Sequence, residues 1–316
     1  MTSPLRTVLV TGAGGYIGCV LVPELIRRGY EVRALDKYTR SSGAAYIHPN
    51  LTRIYADTRT WGGEGLEGAD AVIDLAAISH DRRGEVTPHE TLDINQFARH
   101  RTAVKARESG VRRYLLMSTC GVYGLRDSSC MASEESDIAP VTTYARAAGQ
   151  SERDILRMNS ASFEVAAVRP AILYGYSPRM RFDLAVNAMV LAAWREGVIR
   201  VAGTGGQWRP FVHITDAVEA FCRLLDAPAD QVAGEIFNIG SNEGNIRIRA
   251  LAQLIADTLP VPVQIITDGA EDSRSYRIDF TKIQDRLGWQ AVHGLRQGIA
   301  EIYGQLERGV ILPDLK

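Results

Sequence analysis

The stretch Thr11 to Gly18 reads TGAGGYIG, directly after the apolar run Thr7 to Thr11 and at the opening of a segment with helical periodicity. In that context Gly12, Gly15 and Gly18 fall at bends where a side chain would obstruct a pyrophosphate. The backbone amides around Tyr16 and Ile17 then face the phosphates from a helix N-terminus. Asp36 stands eighteen residues past Gly18, at the end of a second apolar run. A carboxylate there accepts both ribose hydroxyls of an adenosine and repels a 2′-phosphate, so the two features imply a dinucleotide site that takes NAD rather than NADP. Lys37, Arg33 and Arg40 are nearby cations that oppose this preference. Asp57, in YADTR, is placed to approach the adenine, and the LAA of Leu75, Ala76 and Ala77 lets a cofactor lie against the sheet. Asn187, inside the apolar segment Leu184 to Trp194, reads either as a ligand for a sugar or diphosphate oxygen or as a satisfied buried amide.

These residues need a scaffold of alternating elements. Short apolar runs at Thr7 to Thr11, Glu31 to Leu35, Arg53 to Tyr55, Ala71 to Leu75, Tyr114 to Ser118 and Glu164 to Arg169 carry strand patterns. Between them lie helical patterns at Tyr16 to Arg28, Thr91 to Ser109 and Thr143 to Met158. That order predicts an α/β fold with a doubly wound parallel (Rossmann) sheet covered by helices on both faces. Residues 1–170 are expected to form the NAD-binding domain and residues 171–316 a smaller C-terminal substrate-binding lobe, where the alternation loosens into Gly- and Arg-rich stretches such as Gly203 to Arg209 and Asp268 to Arg277. Segments such as Glu235 to Ile239 can return from that lobe to the main sheet.

The 316 residues balance 36 basic against 37 acidic side chains, a formal net charge of -1, so no global field favours nucleic acid or a membrane surface. The longest apolar stretch, Leu184 to Trp194, is far short of the roughly 20 residues that a membrane span needs, and it reads as a buried helix. The N-terminal run Val8 to Val10 breaks into glycine before a signal-peptide core forms. Cys19, Cys120, Cys130 and Cys222 are scattered without a CxxC pair or a histidine at zinc-ligand spacing. That implies no metal site and fits a reducing cytoplasm.

Further motifs follow the glycine turn: Asn95, STCGVYG at Ser118 to Gly124, Tyr144, VRPAILYG at Val168 to Gly175, WRPFVHITD at Trp208 to Asp216 and SRSYRID at Ser273 to Asp279. With Asp36 and the LAA segment they resemble the extended short-chain dehydrogenase/reductase family over nearly the whole chain. Within it, the likeness is to the NAD-dependent epimerase/dehydratase enzymes of nucleotide sugars. The resemblance implies a tyrosine that takes the proton from a sugar hydroxyl while hydride leaves the same carbon for nicotinamide, and a Ser or Thr that holds the substrate oxygen. Tyr144 and Thr119 match those positions, and such a proton transfer needs an acid/base within hydrogen-bond reach of the reacting oxygen. Arg209 matches the position from which the family contacts a nucleotide diphosphate, and Arg274 is a second candidate. A guanidinium suits this work through paired, charge-assisted hydrogen bonds. His213 reads as structural. The segments Thr91 to Ser109 and Thr143 to Met158 resemble the helices through which family members pair, which implies a homodimer.

Two positions depart from the family pattern. The family places a lysine four residues after the tyrosine, one turn on and on the same helix face, where this chain has Ala148. A tyrosine of pKa about 10 is ionised about one part in a thousand at neutral pH. A cation about 4 Å away, at an effective dielectric near 20, contributes up to about 4 kcal/mol. Arg146, two residues along, points to nearly the opposite side. Either a group from the loop His80 to Arg83 supplies the charge, or the chemistry needs no strong tyrosine base, or the alanine is an inactivating replacement of a lysine.

The second departure is Cys120 with Gly121, where the sugar 4,6-dehydratases of the family carry an acidic pair. Cys120 reads as an acid or base, or as a small packing residue. Glycine has no proton to offer, which favours epimerisation or reduction over dehydration. The expected activity is NAD-dependent oxidation of a ring hydroxyl of a nucleotide sugar to a ketone, followed by epimerisation and hydride return. A net NAD-dependent dehydrogenase or reductase and a non-catalytic NAD-binding sensor are the alternatives.

Overall fold

The computed structural model describes residues 5–39, 45–79, 85–125, 129–269 and 274–311. Arg40, the loop His80 to Arg83 and Ser273 lie outside the described residues. The first strands are β1 (Thr7–Thr11), β2 (Glu31–Asp36), β3 (Leu51–Tyr55), β4 (Ala71–Asp74) and β5 (Arg113–Met117), followed by β6 (Met131–Ala132) and β7 (Glu164–Pro170). The remainder are β8 (Ile172–Tyr174), β9 (Val198–Ala202), β10 (Trp208–His213), β11 (Ile236–Ile239), β12 (Asn245–Arg247), β13 (Gln264–Asp268) and β14 (Arg277–Ile278). Seven of them form one sheet in the order β11-β7-β5-β4-β1-β2-β3, and every pairing in it is parallel. The order reverses between β1 and β4, which opens a crevice at the carboxyl ends of those strands.

The strands are buried on both faces because successive side chains alternate across the sheet. Val8 and Val10 of β1 pack with Leu21 and Leu25 of helix α1 (Gly18–Arg27), whereas Leu9 joins the opposite layer with Leu35, Val72 and Tyr114. That opposite layer is closed by Ala103 and Ala106 of α2 (Arg99–Glu108) and Ile155 of α3 (Thr143–Leu156). The segment expected as one helix from Thr91 to Ser109 carries instead a π-turn, Asp93–Ala98, ahead of α2. The reason lies in Asn95. Its amide side chain binds both the N–H and the C=O of Ile78, and its own carbonyl accepts from the Ser151 hydroxyl of α3. The widened turn brings this residue against the segment after β4.

Beyond β7 the chain builds α4 (Ala185–Glu196) and α5 (Ile214–Asp226), together with small sheets of β8-β10-β12, β9-β13 and β6-β14. A separate apolar cluster holds this lobe, drawn from Val186 and Val190 of α4, Ile199, Val201, Phe211 and Leu251. Two of its segments belong to the main body: β11 pairs with β7, and α5 packs on α1 and β5. Arg113 of β5 fixes that docking, bonding Glu164 and the carbonyls of Leu224, Leu225 and Ala227 at the end of α5. Cations at a helix C-terminus complement its dipole. No helix among the described residues is long and apolar enough to cross a membrane.

Candidate active site

A cavity of about 940 Å³ opens at the carboxyl edge of the sheet, over the β1/β4 crevice, and continues into the second lobe. Gly12, Gly15, Tyr16, Ile17 and Gly18 form its floor between β1 and α1. Gly12 has φ +66°, and a Cβ there would lie 2.9 Å from the backbone of Leu75 and Ala76, so only glycine allows the turn to close on β4. At Gly18 a Cβ would meet the Ala13 carbonyl at 2.4 Å, which fixes how closely α1 rests on the turn. Among the described residues the Tyr16 and Ile17 amides meet no backbone acceptor, leaving donors at a helix N-terminus for an anion. Asp36 closes this end, its carboxylate oriented by the amides of Gly14 at 3.1 Å and Tyr38 at 2.8 Å.

Of the cations that could have favoured a 2′-phosphate, the two among the described residues are engaged elsewhere. Arg33 donates to the carbonyls of Gly65 and Glu67, and Lys37 pairs with Asp57 at 3.0 Å. Asp57 also lines the cavity, and its hydrogen bonds from Arg59, aided by Lys37, hold its carboxyl well below the usual range. Leu75, Ala76 and Ala77 form the wall beyond β4. These features fit an NAD molecule: unpaired amides for the diphosphate, a carboxylate for the adenosine diol, and a small-residue wall beside the sheet. Asp36→Ala is expected to weaken NAD binding roughly 10- to 150-fold, the worth of a charge-assisted hydrogen bond of about 1.5–3 kcal/mol, with little loss of NADP binding. Calorimetric titration with each nucleotide measures the ratio.

Farther along, Thr119 and Tyr144 line the same cavity. Thr119 caps the short helical turn Cys120–Tyr123, its Oγ1 accepting from the Gly121 amide at 3.0 Å, so the hydroxyl proton is directed elsewhere. Tyr144 is the second residue of α3. That first turn is held by the Thr142 hydroxyl, which accepts from Ala145 N–H, and by Glu85, which accepts from the Thr143 amide at 2.6 Å. Behind the pair, Ser118 donates to Glu152, Glu152 pairs with Arg169 at 2.6 Å, and Arg169 bonds the Tyr123 hydroxyl, which donates to Asn238. This buried chain ties β5, α3, β7 and β11 beneath the site.

The outer end collects arginines. Arg209 and Arg274 both line the cavity. Arg209 is 5% exposed, donates to the carbonyls of Trp208 and Arg274, and stacks on Tyr276 with 5.1 Å between guanidinium and ring. Arg181 and Arg200 line the same end and were not anticipated from sequence. Arg181 binds Ser79 after β4 and Asp183. Their signal was weak, because neither sits in a motif and only the packing of the lobe on the sheet brings them in.

Three anticipated residues do not reach the cavity lining. Cys120 turns into the core, its thiol donating to the Arg169 carbonyl at 3.1 Å, and burial pushes it well above the ordinary thiol range. Asn187 is fully buried with both amide ends used, accepting from Gly175 N–H and donating to the Tyr16 hydroxyl and the Arg181 carbonyl. Ala148 is 1% exposed and packs in the core. Arg146 is on the exposed face of α3, donating to the Val141 carbonyl. His213 is buried between Glu301 and the start of α5, whose Thr215 amide it accepts. Among the described residues no group of histidines, cysteines and carboxylates could hold a metal ion.

A model of the NAD dependent epimerase/dehydratase family matches residues 8–240. The UDP-glucose 4-epimerase of Mycolicibacterium smegmatis is 30% identical, over 94% of this chain and 97% of that protein. A dTDP-glucose 4,6-dehydratase of Xanthomonas campestris is 26% identical, over 94% of this chain and 92% of its own length. Among solved structures, MoeE5 in complex with UDP-glucose and NAD aligns with a TM-score of 0.84 and 28% identity, covering 96% of this chain and all (100%) of that one. Family match, full-length relatives and the geometry of the glycine turn agree: the chain belongs to the NAD dependent epimerase/dehydratase family, and NAD is its cofactor.

Proposed function

We propose that this enzyme epimerises a nucleotide sugar through a ketone, in a redox-neutral cycle. The observation that carries the reading is one continuous cavity lined by Asp36 at one end, Thr119 and Tyr144 in the middle, and Arg209 and Arg274 at the other. The Thr119 hydroxyl donates to the reacting sugar oxygen and Tyr144 takes that oxygen's proton. Arg209 and Arg274 hold the nucleotide diphosphate, so that only the sugar lies between them and Tyr144. Bound NAD supplies the hydride acceptor and, in reverse, the donor. Residues 1–170 with β11 hold the cofactor, and the remainder of 171–316 holds the substrate. A cytoplasmic homodimer is part of the same reading; the half-exposed Phe97, next to α2, supports such a pairing surface.

Epimerisation is preferred to dehydration because elimination of water needs an acid and a base at the sugar. Cys120 is turned away from the cavity and Gly121 has no side chain. The described carboxylates that line it are each engaged: Asp36 by two amides, Asp57 by Arg59 and Lys37, Glu90 near Arg59 and Asp183 by Arg181. Incubation of NAD-loaded protein with UDP- and dTDP-hexoses in D2O, followed by NMR of the products, tests this. An isomer of the substrate that retains protium at the inverted carbon is expected. A dehydrated product, or NADH accumulating against added NAD, would contradict it.

A further inference from the structure

We propose that Arg99, the first residue of α2, supplies the positive charge that the family carries four residues after its tyrosine, and that this is why Ala148 is tolerated. Arg99 is 3% exposed. Its Nε donates to the Ala76 carbonyl at 3.0 Å and its Nη1 to the Met117 carbonyl at 2.7 Å. The guanidinium therefore bridges the chain ends just past β4 and β5, and it lines the cavity beside Ser118 and Thr119. Its hydrogen-bond partners are neutral carbonyls, and no described carboxylate forms an ion pair with it. A guanidinium stays protonated at any ordinary pH, and a buried charge without a counter-ion is costly to maintain. A cation left in that state, aimed at a cavity, calls for a partner that arrives with the ligands.

The location identifies what it serves. Asp36 sets the adenosine half of the cofactor over β2, so the other half runs across the carboxyl ends of β4 and β5, where Arg99 lies. Tyr144 and Thr119 line that same region. The α3 helix packs on both α2 and the π-turn ahead of it, so the two helices meet beside the ends of β4 and β5 that Arg99 bridges. Arg99 follows Asn95 by four residues across the π-turn, and both side chains meet the segment after β4.

Among the described residues, other charged groups of these elements are held by hydrogen bonds of their own. Asp74 of β4 accepts from Thr11 and Tyr114, Glu152 is paired with Arg169, and Glu85 caps α3. Arg99 is left to favour the phenolate form of Tyr144, the form that accepts a proton from the sugar hydroxyl.

This inference rests on the proposed function, and the experiment separates the two. Tyr144 ionisation is followed by near-ultraviolet tyrosinate absorbance in the NAD complex, as the difference between each protein and its Tyr144→Phe counterpart. Arg99→Gln, which keeps a donor for the carbonyls but no charge, is expected to move ionisation up by one pH unit or more. Arg99→Lys keeps it near the original position, and adding Ala148→Lys to Arg99→Gln brings it back. If Arg99→Gln leaves the titration unmoved, or if Ala148→Lys does not restore it in a protein that still binds NAD, Arg99 serves only to hold the Ala76 and Met117 carbonyls and the inference is overturned. Should Arg99→Gln not fold, Arg99→Lys alone decides: ionisation raised by a full unit, despite the retained charge, sinks it. Failure of the unaltered protein to bind NAD at all would instead sink the functional reading.

Discussion

Tyr144→Phe is expected to reduce kcat by about 10²–10⁴-fold, the usual contribution of a positioned general acid/base, while NAD affinity and the melting temperature stay close to those of the unaltered protein. The substitution removes one oxygen from the second residue of α3 and leaves the first turn intact, since Thr142 and Glu85 hold that turn through the backbone of Ala145 and Thr143. Thr119 keeps its bond from the Gly121 amide, so substrate orientation survives better than proton transfer. KM for the nucleotide sugar should therefore change much less than kcat. Equal losses in both would mean that the phenol binds substrate without taking its proton, and unchanged turnover would remove Tyr144 from the chemistry.

A second large effect concerns stability. Glu152→Ala is expected to destabilise the fold by about 3–5 kcal/mol, because it strands the buried Arg169 guanidinium. Both side chains are nearly inaccessible, at 3% and 4% exposure. Arg169 gives Glu152 contacts at 2.6, 3.0 and 3.1 Å and bonds Tyr123 as well. Against a total stability of about 5–15 kcal/mol for a typical domain, the loss should lower the urea midpoint sharply and reduce soluble yield at 37 °C. Activity should fall in proportion, since Ser118, which donates to Glu152, adjoins Thr119. A midpoint unchanged from the parent would show that the Glu152 network contributes little to folding.

Much of this architecture was legible in the residues because local pattern and final environment coincide. Strands β1, β2, β4 and β5 are short apolar runs bounded by polar turns, and burial on both faces is what such runs require. The TGAGGYIG turn and Asp36 were readable for a similar reason: one position demands positive φ, another close backbone approach, and the carboxylate must end a strand. Side-chain direction was less legible. Cys120 follows Thr119 directly, yet the turn at Cys120–Tyr123 sends the thiol inward and leaves the hydroxyl at the cavity. Asn187 read equally as a ligand or as a satisfied buried amide, and the second holds, because its partners Gly175, Tyr16 and Arg181 are assembled only when α4 docks. Arg99 was invisible for the opposite reason. In a helix with Arg101, Lys105 and Arg107 it resembles one more surface cation, and only the π-turn at Asn95 shows which face it occupies.

The central claim is that a nucleotide sugar and NAD share this cavity and exchange a hydride reversibly across it. Rapid mixing of the NAD-loaded protein with UDP- and dTDP-hexoses, while watching the absorbance of reduced cofactor, tests it most directly. The account predicts a transient rise with at least one of them, falling back as the isomer forms and absent in Tyr144→Phe. No rise with any of them, or a rise that persists in Tyr144→Phe, would contradict it.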